Sequence, residues 1–165
     1  MTYDRNNIFA KILRGEIPCE KLYEDEHTFA FMDIMPQTEG HCLVIPKKPS
    51  TGLLDADPTI FASLFETVQK VARAAKAAMH ADGVTLMQFN GAAAGQTVFH
   101  LHVHILPRKE GIALKAHSGQ MEKSEIIKAN AEKIREALAA YSFHCPVIMR
   151  AIGVSATCFH SIMAP

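Results

Sequence analysis

The chain has 165 residues, which predicts one domain that can bury about two thirds of the surface of its unfolded form. Its 17 basic and 17 acidic residues cancel, so no net field draws the protein towards nucleic acid or an acidic membrane surface. We therefore expect a small-molecule partner, with no nucleic acid and no membrane.

The N-terminal residues and the cysteines favour a cytoplasmic location. Residues 1–16 are charged and lack the apolar region of a signal peptide, and no apolar run approaches the length of a bilayer span. The four cysteines show no Cys-x-x-Cys spacing and no dense framework, which is typical of reduced thiols. They are Cys19, Cys42, Cys145 and Cys158.

The first half of the chain predicts one short helix and three strands. Apolar residues recur at helical spacing from Ile8 to Ile12, before a glycine cap at Gly15. Residues 20–34 contain two extended runs around a polar turn, which is typical of a β-hairpin. Residues 41–46 form a short apolar run that stops at a proline and predicts a buried strand.

The second half predicts two helices and two strands. A long amphipathic helix follows the N-cap residue Asp57 and ends near Gly83. Residues 84–90 and 100–108 predict strands, and Ser124 begins a final helix. The side chains expected to face the core are Ile60, Phe61, Leu64, Phe65, Val68 and Val71 in the first helix, and Ile126, Ile127, Ile134 and Leu138 in the second. The pattern predicts an α+β fold, an antiparallel sheet with helices on one face.

Three histidines alternate with aliphatic residues in the segment HLHVHILPR, residues 100–108. Successive side chains of a strand point to opposite faces, so the histidines are expected to share a wet cleft while the aliphatic residues pack into a core. The histidines are His100, His102 and His104, and the aliphatic residues are Leu101, Val103 and Ile105.

Nucleophilic or acid–base chemistry is the favoured use of these imidazoles, because their ordinary pKa of about 6.5 lets them attack, donate or accept near neutrality. Metal binding is an alternative, but the first and third side chains of such a row lie about 13 Å apart on a strand. No cysteine or carboxylate flanks the row to complete a metal site. A strand face with partly exposed histidines is the third possibility.

The loop NGAAAGQTVF, residues 90–99, lies directly before the histidines. Its small residues allow the backbone to approach a ligand closely, and Gly95, Gln96 and Thr97 offer N–H groups and polar side chains. Alone, the loop is more typical of a plain tight connection. Beside three histidines on one face, it indicates a phosphate cradle.

These segments together identify a family resemblance. GQTVFHLHVHILPR resembles the signature of the histidine triad (HIT) superfamily, and the likeness extends over NNIFAKILRGEIP and TFAFMDIMPQTEGHCLVIPK, from about residue 5 to about residue 140. It implies a sheet of about five strands that continues across a homodimer. It also implies hydrolysis of a purine nucleotide at its α-phosphate, with a transiently nucleotidylated histidine and no cofactor. We expect a HIT domain over residues 1–140 and an extension of unknown role over residues 141–165.

The resemblance also implies roles for individual residues. His102 resembles the nucleophile, His104 the histidine that contacts phosphate, and His100 the one that supports the strand. His41 resembles a fourth histidine that hydrogen-bonds within the cluster, and Asp33 the carboxylate that binds the ribose hydroxyls. The residues expected around the base are Ile8, Phe9, Phe31 and Ile34, and those expected near phosphate are Asn90, Gly95, Gln96 and Thr97. From the residues alone, Asp33 is equally typical of a turn, Phe31 of a core and His41 of a buried, satisfied histidine.

Three departures from the family qualify these expectations. Asn7 and Ala10 stand where many bacterial relatives carry a cysteine pair for structural zinc, so we expect no metal. His104 stands where the galactose-1-phosphate uridylyltransferase branch has glutamine, which favours hydrolysis over transfer. The apolar stretch from residue 141 to residue 165 matches nothing in the family. A metal site there, which we consider unfavourable, would use His144, Cys145, Cys158 and His160.

The leading hypothesis is a hydrolase of purine nucleoside phosphoramidates or related AMP conjugates, because IFAKILRGEIP and FMDIMPQ favour the phosphoramidase branch. The alternative enzyme is a dinucleoside polyphosphate hydrolase, since the histidine signature is also close to the fragile histidine triad branch. An alternative of another class is a nucleotide-binding regulatory module with little catalysis.

Overall fold

The structure, a computed structural model, describes residues 2–116 and 120–142. Almost all of the expected C-terminal extension, including the four residues of the unfavoured metal site, lies outside this range. No helix in the described residues is both long and apolar enough to cross a bilayer.

A five-stranded antiparallel sheet forms the centre of the fold, as expected. Its strands are β1 (Lys21–Glu24), β2 (Thr28–Met32), β3 (Cys42–Pro46), β4 (Gly83–Met87) and β5 (Val103–Arg108). They lie in the order β1-β2-β3-β5-β4, and every neighbouring pair is antiparallel. The predicted hairpin is confirmed as β1 and β2, and the Asp25 carboxylate closes its turn by accepting the backbone N–H groups of His27 and Thr28.

Within the described residues, three α-helices accompany the sheet: α1 (Ile8–Leu13), α2 (Phe61–Ala78) and α3 (Ser124–Ser142). Asn7 caps α1 by accepting the N–H of Ala10 through its side chain. Asp57 caps a short 3-10 turn, Pro58–Ile60, that leads into α2. α2 ends at Ala78, a few residues before Gly83, because the chain leaves the helix at Met79 and His80 adopts a left-handed conformation.

The sheet carries helices on both faces, which corrects the prediction of one helical face. Alternate residues of β2 and β3 point to opposite sides and belong to two separate clusters. One cluster, which includes Ala30 and Val44, packs against α2 and α3. The other contains Phe9 of α1 with Phe29, Phe31, Leu43 and Ile45 of the sheet. The short helix α1 therefore covers a face of its own.

Two expected core residues of the long helices lie at the surface instead. Phe65 of α2 is 50% exposed and Ile126 of α3 is 43% exposed. Alanine residues occupy other inward positions of these helices, where small side chains allow close approach between packed elements. Ala74, Ala75 and Ala131 are fully buried. Leu64, Val68, Val71, Ile127, Ile134 and Leu138 are buried as predicted, and Ile60 and Phe61 are partly buried against the same core.

Candidate functional site

A cavity lies between α1 and the face of the sheet that α1 covers, and it encloses about 770 Å³ including its open mouth. A volume of this size suits a small ligand. His102, His104 and Asp33 line one part of it, together with Thr97. Apolar side chains line much of the rest: Ile8, Phe9, Ile12, Ile17, Pro18, Phe31, Ile34, Leu43 and Val98.

The three alternating histidines are all buried, at 0%, 3% and 4% exposure, so their surroundings are drier than the wet cleft predicted from sequence. Only His104 lies within β5, and His100 and His102 precede the strand. His104 pairs in register with Leu43, which places it on the α1 face. The intervening aliphatic residues pack into the opposite core as predicted: Leu101, Val103 and Ile105.

His102 has a defined tautomer in this structure. Its Nδ1 lies 2.6 Å from the backbone carbonyl oxygen of His100, and a carbonyl can only accept a hydrogen bond. Nδ1 therefore carries the proton of the neutral ring, and Nε2 carries a lone pair. The edge of the Phe9 ring packs against this imidazole with centroids 5.1 Å apart. The orientation and the proton position of His102 both suit a nucleophile.

A relay of hydrogen bonds fixes the tautomer of His104 in the same way. The backbone N–H of Gln37 donates to Nδ1 of His41 at 3.2 Å, so the proton of neutral His41 resides on Nε2. Nε2 of His41 lies 2.9 Å from Nδ1 of His104. His104 therefore accepts at Nδ1 and carries its own proton on Nε2, ready to donate to an anionic oxygen.

Asp33 stands beside this relay. Its Oδ2 atom lies 3.6 Å from Nε2 of His41 and 4.0 Å from Nδ1 of His104, while Oδ1 accepts the N–H of Met35 at 2.8 Å. These three side chains could in principle gather around a metal ion, since their ligand atoms lie within 4.8 Å of one another. A metal at this point would need a lone pair on Nε2 of His41, but Nε2 carries the proton while Nδ1 accepts the Gln37 N–H. The geometry thus favours a proton relay with a carboxylate beside it.

His100 is held through both ring nitrogens. Nε2 donates to the carbonyl oxygen of Pro46 at 2.9 Å, and the Tyr3 hydroxyl donates to Nδ1 at 2.5 Å. Burial lowers the pKa of His100 to about 4, so the ring is neutral at neutral pH. Tyr3 was missed in the sequence because it is 97 residues away and belongs to no motif.

The loop before the histidines uses two of its predicted phosphate contacts to hold its own shape. The Gln96 amide accepts the N–H of Gly91 and donates to the carbonyl oxygens of Thr51 and Val98. The Asn90 amide accepts the N–H of Leu53 and bonds to Gln88. Gly95 has φ +93°, a conformation that favours glycine, and the exposed Thr97 follows at the cavity edge.

Residues 17–19, directly after α1, are a part of the cavity wall that sequence reasoning missed. Cys19 is half-buried there, and burial raises the pKa of its thiol to about 11, so the side chain behaves as a small apolar group. Gln37 was also missed, because its part in the relay is played by a backbone N–H that every residue except proline possesses.

The positions of the family's zinc-binding cysteine pair do not fit a metal in this chain. Ala10 offers no ligand atom, and the side chain of Asn7 caps α1 and donates to the carbonyl oxygen of Asp4. A structural zinc site is closed by four protein ligands, and these are thiolates, imidazoles or carboxylates.

Comparisons with known proteins agree with the geometry. The family model described as the HIT domain matches residues 14–111. The crystal structure of a Hit-like protein from Bartonella henselae superposes with a TM-score of 0.78 at 56% identity, covering 82% of this chain and 99% of that one. An uncharacterized HIT-like protein of Mycobacterium tuberculosis is 40% identical over 80% of this chain and 92% of its own length. The adenylylsulfatase HINT3 of Arabidopsis thaliana is 39% identical over 74% of this chain, and the chain spans 65% of that protein.

Burial of His100 makes stability depend on pH. The unfolded chain binds a proton on this residue near pH 6.5, whereas the folded chain binds it only near pH 4, so stability falls as the pH drops between these values. We expect the wild type to lose about 2 kcal/mol more than His100→Gln when the pH falls from about 7.5 to about 5. Urea unfolding of both proteins at the two pH values measures this difference. Equal losses would contradict it.

Proposed function

The chain belongs to the HIT family and is a nucleotide hydrolase of that family, and we propose that it cleaves purine nucleoside phosphoramidates or related AMP conjugates at the α-phosphate. One observation carries this proposal: His102 is held in the Nδ1–H tautomer, in a cavity that is apolar along much of its wall. The cavity thus has an apolar part and a polar part with histidines, and a nucleoside phosphate likewise has an apolar base and an anionic phosphate.

The chemistry of the cavity wall supports separate positions for the base and the ribose. The base lies among Ile8, Phe9, Phe31 and Ile34, where apolar contact and edge-to-face aromatic packing are available. Asp33 lies at the boundary between these side chains and the histidines, where its carboxylate accepts hydrogen bonds from the two ribose hydroxyls. Since Phe31 is 3% exposed and packs against Phe9 with centroids 5.4 Å apart, it serves both the core and the cavity.

The reaction proceeds in two displacements. The lone pair on Nε2 of His102 attacks the α-phosphorus, a phosphorus–nitrogen bond forms, and the leaving group departs with the electrons of its own bond to phosphorus and takes up a proton from solvent. Water then attacks the nucleotidyl-histidine, loses a proton to solvent and releases AMP, and the electrons of the phosphorus–nitrogen bond return to Nε2. Two in-line displacements give net retention at phosphorus.

The other histidines stabilise charge during these steps. His104 donates from Nε2 to a phosphate oxygen, and its acceptor position at Nδ1 is fixed by His41. Asp33 lies close enough to both rings to stabilise positive charge that develops on the relay. His100 remains neutral and supports the segment that carries His102.

The loop of residues 90–97 forms the phosphate side of the site. Thr97, at the cavity edge, contacts the phosphate or leaving-group oxygens directly. Gln96 and Asn90 act through the loop that their amides brace, and Gly95 gives it the left-handed turn before Thr97. Backbone N–H groups of such loops can form anion-binding concavities.

Substrate choice separates the candidate activities. A mixed sulfate anhydride of AMP is a second candidate substrate, because one relative is named an adenylylsulfatase. We expect kcat/KM to be highest for adenosine 5′-phosphoramidate, lower for adenylyl sulfate and lowest for a diadenosine polyphosphate. Steady-state rates on the three compounds test this order. A preference of more than tenfold for the diadenosine polyphosphate would make the dinucleotide hydrolase the better assignment, and AMP binding without any turnover would favour the regulatory module.

Loss of the nucleophile tests the covalent step. We expect His102→Ala to lower kcat by at least roughly a thousandfold, about 4 kcal/mol of transition-state stabilisation, while AMP binding changes by less than about tenfold. Rapid chemical quench of the wild type should trap a nucleotidyl adduct on this residue. Inversion at a chiral α-phosphorus, or a tenth of the activity remaining in His102→Ala, contradicts the mechanism.

We also propose a cytoplasmic homodimer in which the sheets of two chains join. The support is β4, which lies at one end of the strand order and is half-exposed, with Leu86 at 47%. An exposed edge strand is a template for pairing with another chain. Ala74 and Ala75 of α2 are buried within the chain, so they do not contribute to the joint. Free thiols at Cys19 and Cys42 suit a reducing compartment.

Sedimentation at micromolar concentration should give about twice the chain mass of 18.1 kDa. Leu86→Lys should shift the protein towards monomer, because it places a charge beside the proposed joint. Ile126→Lys is the matched control, since Ile126 is similarly exposed on α3, which contacts β1 at the opposite end of the sheet. A wild-type monomer would remove this proposal.

A further inference from the structure

We propose that Tyr3 is a positioning residue for the hydrolysis: its hydroxyl holds His100, and through the backbone of His100 it orients His102 for attack. This inference rests on the proposed function, which identifies His102 as the nucleophile. Tyr3 touches neither the reacting atoms nor the substrate in this account, so it acts only through another residue.

The direction of each hydrogen bond can be worked out from the acceptors. Pro46 offers His100 a carbonyl oxygen, which can only accept, so Nε2 of His100 must carry the proton. Nδ1 of the neutral ring is then an acceptor, and the Tyr3 hydroxyl is the donor at 2.5 Å. The two rings also meet edge to face, with centroids 5.5 Å apart. Tyr3 thereby selects one tautomer of His100 and one orientation of its ring.

His100 passes this constraint to His102 through its carbonyl oxygen, which accepts the Nδ1–H of His102 at 2.6 Å. Both histidines precede β5, so the regular strand pairing of the sheet does not hold their backbone. Leu101 between them is tied by its N–H to the carbonyl oxygen of Ser50 at 3.0 Å. The contacts of the His100 ring to Tyr3 and Pro46 are therefore a principal support of the carbonyl that fixes the nucleophile.

Tyr3 is itself fastened to α1. The side chain and the backbone N–H of Asn7 both donate to the carbonyl oxygen of Asp4, at 2.6 and 3.2 Å. Arg14, at the end of α1, donates to the carbonyl oxygen of Arg5 at 2.7 Å. Because these bonds anchor the two residues that follow it, Tyr3 reaches His100 from a fixed segment. The Tyr3 phenol is therefore held in a defined position beside His100.

Removal of the hydroxyl alone tests the proposal, with the full chain and adenosine 5′-phosphoramidate as substrate. We expect Tyr3→Phe to lower kcat about tenfold and to change KM less than about threefold, because misorientation of His102 affects the transition state more than ground-state binding. Tyr23→Phe is the matched control. It also deletes one hydroxyl. The Tyr23 hydroxyl, on β1, accepts a hydrogen bond from Lys70 on α2, and its loss should leave both kcat and KM unchanged.

Imidazole nitrogen NMR provides a readout that loss of stability would not imitate. In the wild type, we expect the proton of His100 on Nε2 and that of His102 on Nδ1. In folded Tyr3→Phe, the Nδ1 signal of His100 and the Nδ1–H signal of His102 should both shift, whereas Tyr23→Phe should shift neither.

Three results would overturn the proposal: an unshifted His102 signal in Tyr3→Phe, an unchanged kcat, or equal losses of kcat in the two variants. A wild type that hydrolyses no AMP conjugate would instead defeat the proposed function. The NMR spectra would still decide in that case whether Tyr3 sets the tautomer of His100 and the orientation of His102.

Discussion

Two backbone carbonyls that can only accept hydrogen bonds set the proton positions on which the site depends. The carbonyl of Pro46 accepts a hydrogen bond from Nε2–H of His100, and the carbonyl of His100 accepts one from Nδ1–H of His102. A backbone N–H does the converse for His41, and His41 passes the result to His104. Four imidazoles that could each adopt two neutral tautomers are thereby reduced to one arrangement.

One face of the sheet carries the larger apolar core, and the other face carries the candidate site. The face under α2 and α3 holds the larger apolar core, including Leu101, Val103 and Ile105, and this core fixes the strand that carries His104. In the part of the chain that the structure describes, the other face is covered by the short helix α1, the segment after it and Val98, and room remains for a cavity. Burial on this face is still deep enough to keep His100 neutral. A rigid core on one side thus supports a site on the other.

The pattern of the sequence predicts well which residues of a strand share a face. It predicts poorly which helix packs on that face of the sheet. Alternation over residues 100–108 correctly separated the histidines from the aliphatic core, and the polar turn after β1 located the hairpin. The side of the sheet that α1 occupies was not predictable, because a six-residue helix has too few apolar positions to define its partner. Tyr3 and Gln37 were missed for another reason: they act through one hydroxyl and one backbone N–H that meet their histidines only in the folded chain. Hydrogen-bond direction depends on three-dimensional neighbours and leaves no periodic pattern.

The strand order has a consequence for the way the site forms during folding. β5 is the last strand among the described residues, yet it lies between β3 and β4, so the sheet is incomplete until β5 inserts. The bond between His41 and His104 spans 63 residues, and the one between Tyr3 and His100 spans 97. Each of these contacts must close a long loop of the chain. A chain that has built its hairpin and long helices but has not docked β5 still lacks an ordered set of imidazoles. Catalytic competence therefore requires β5 in its place, so it reports completion of the fold more strictly than helix content does.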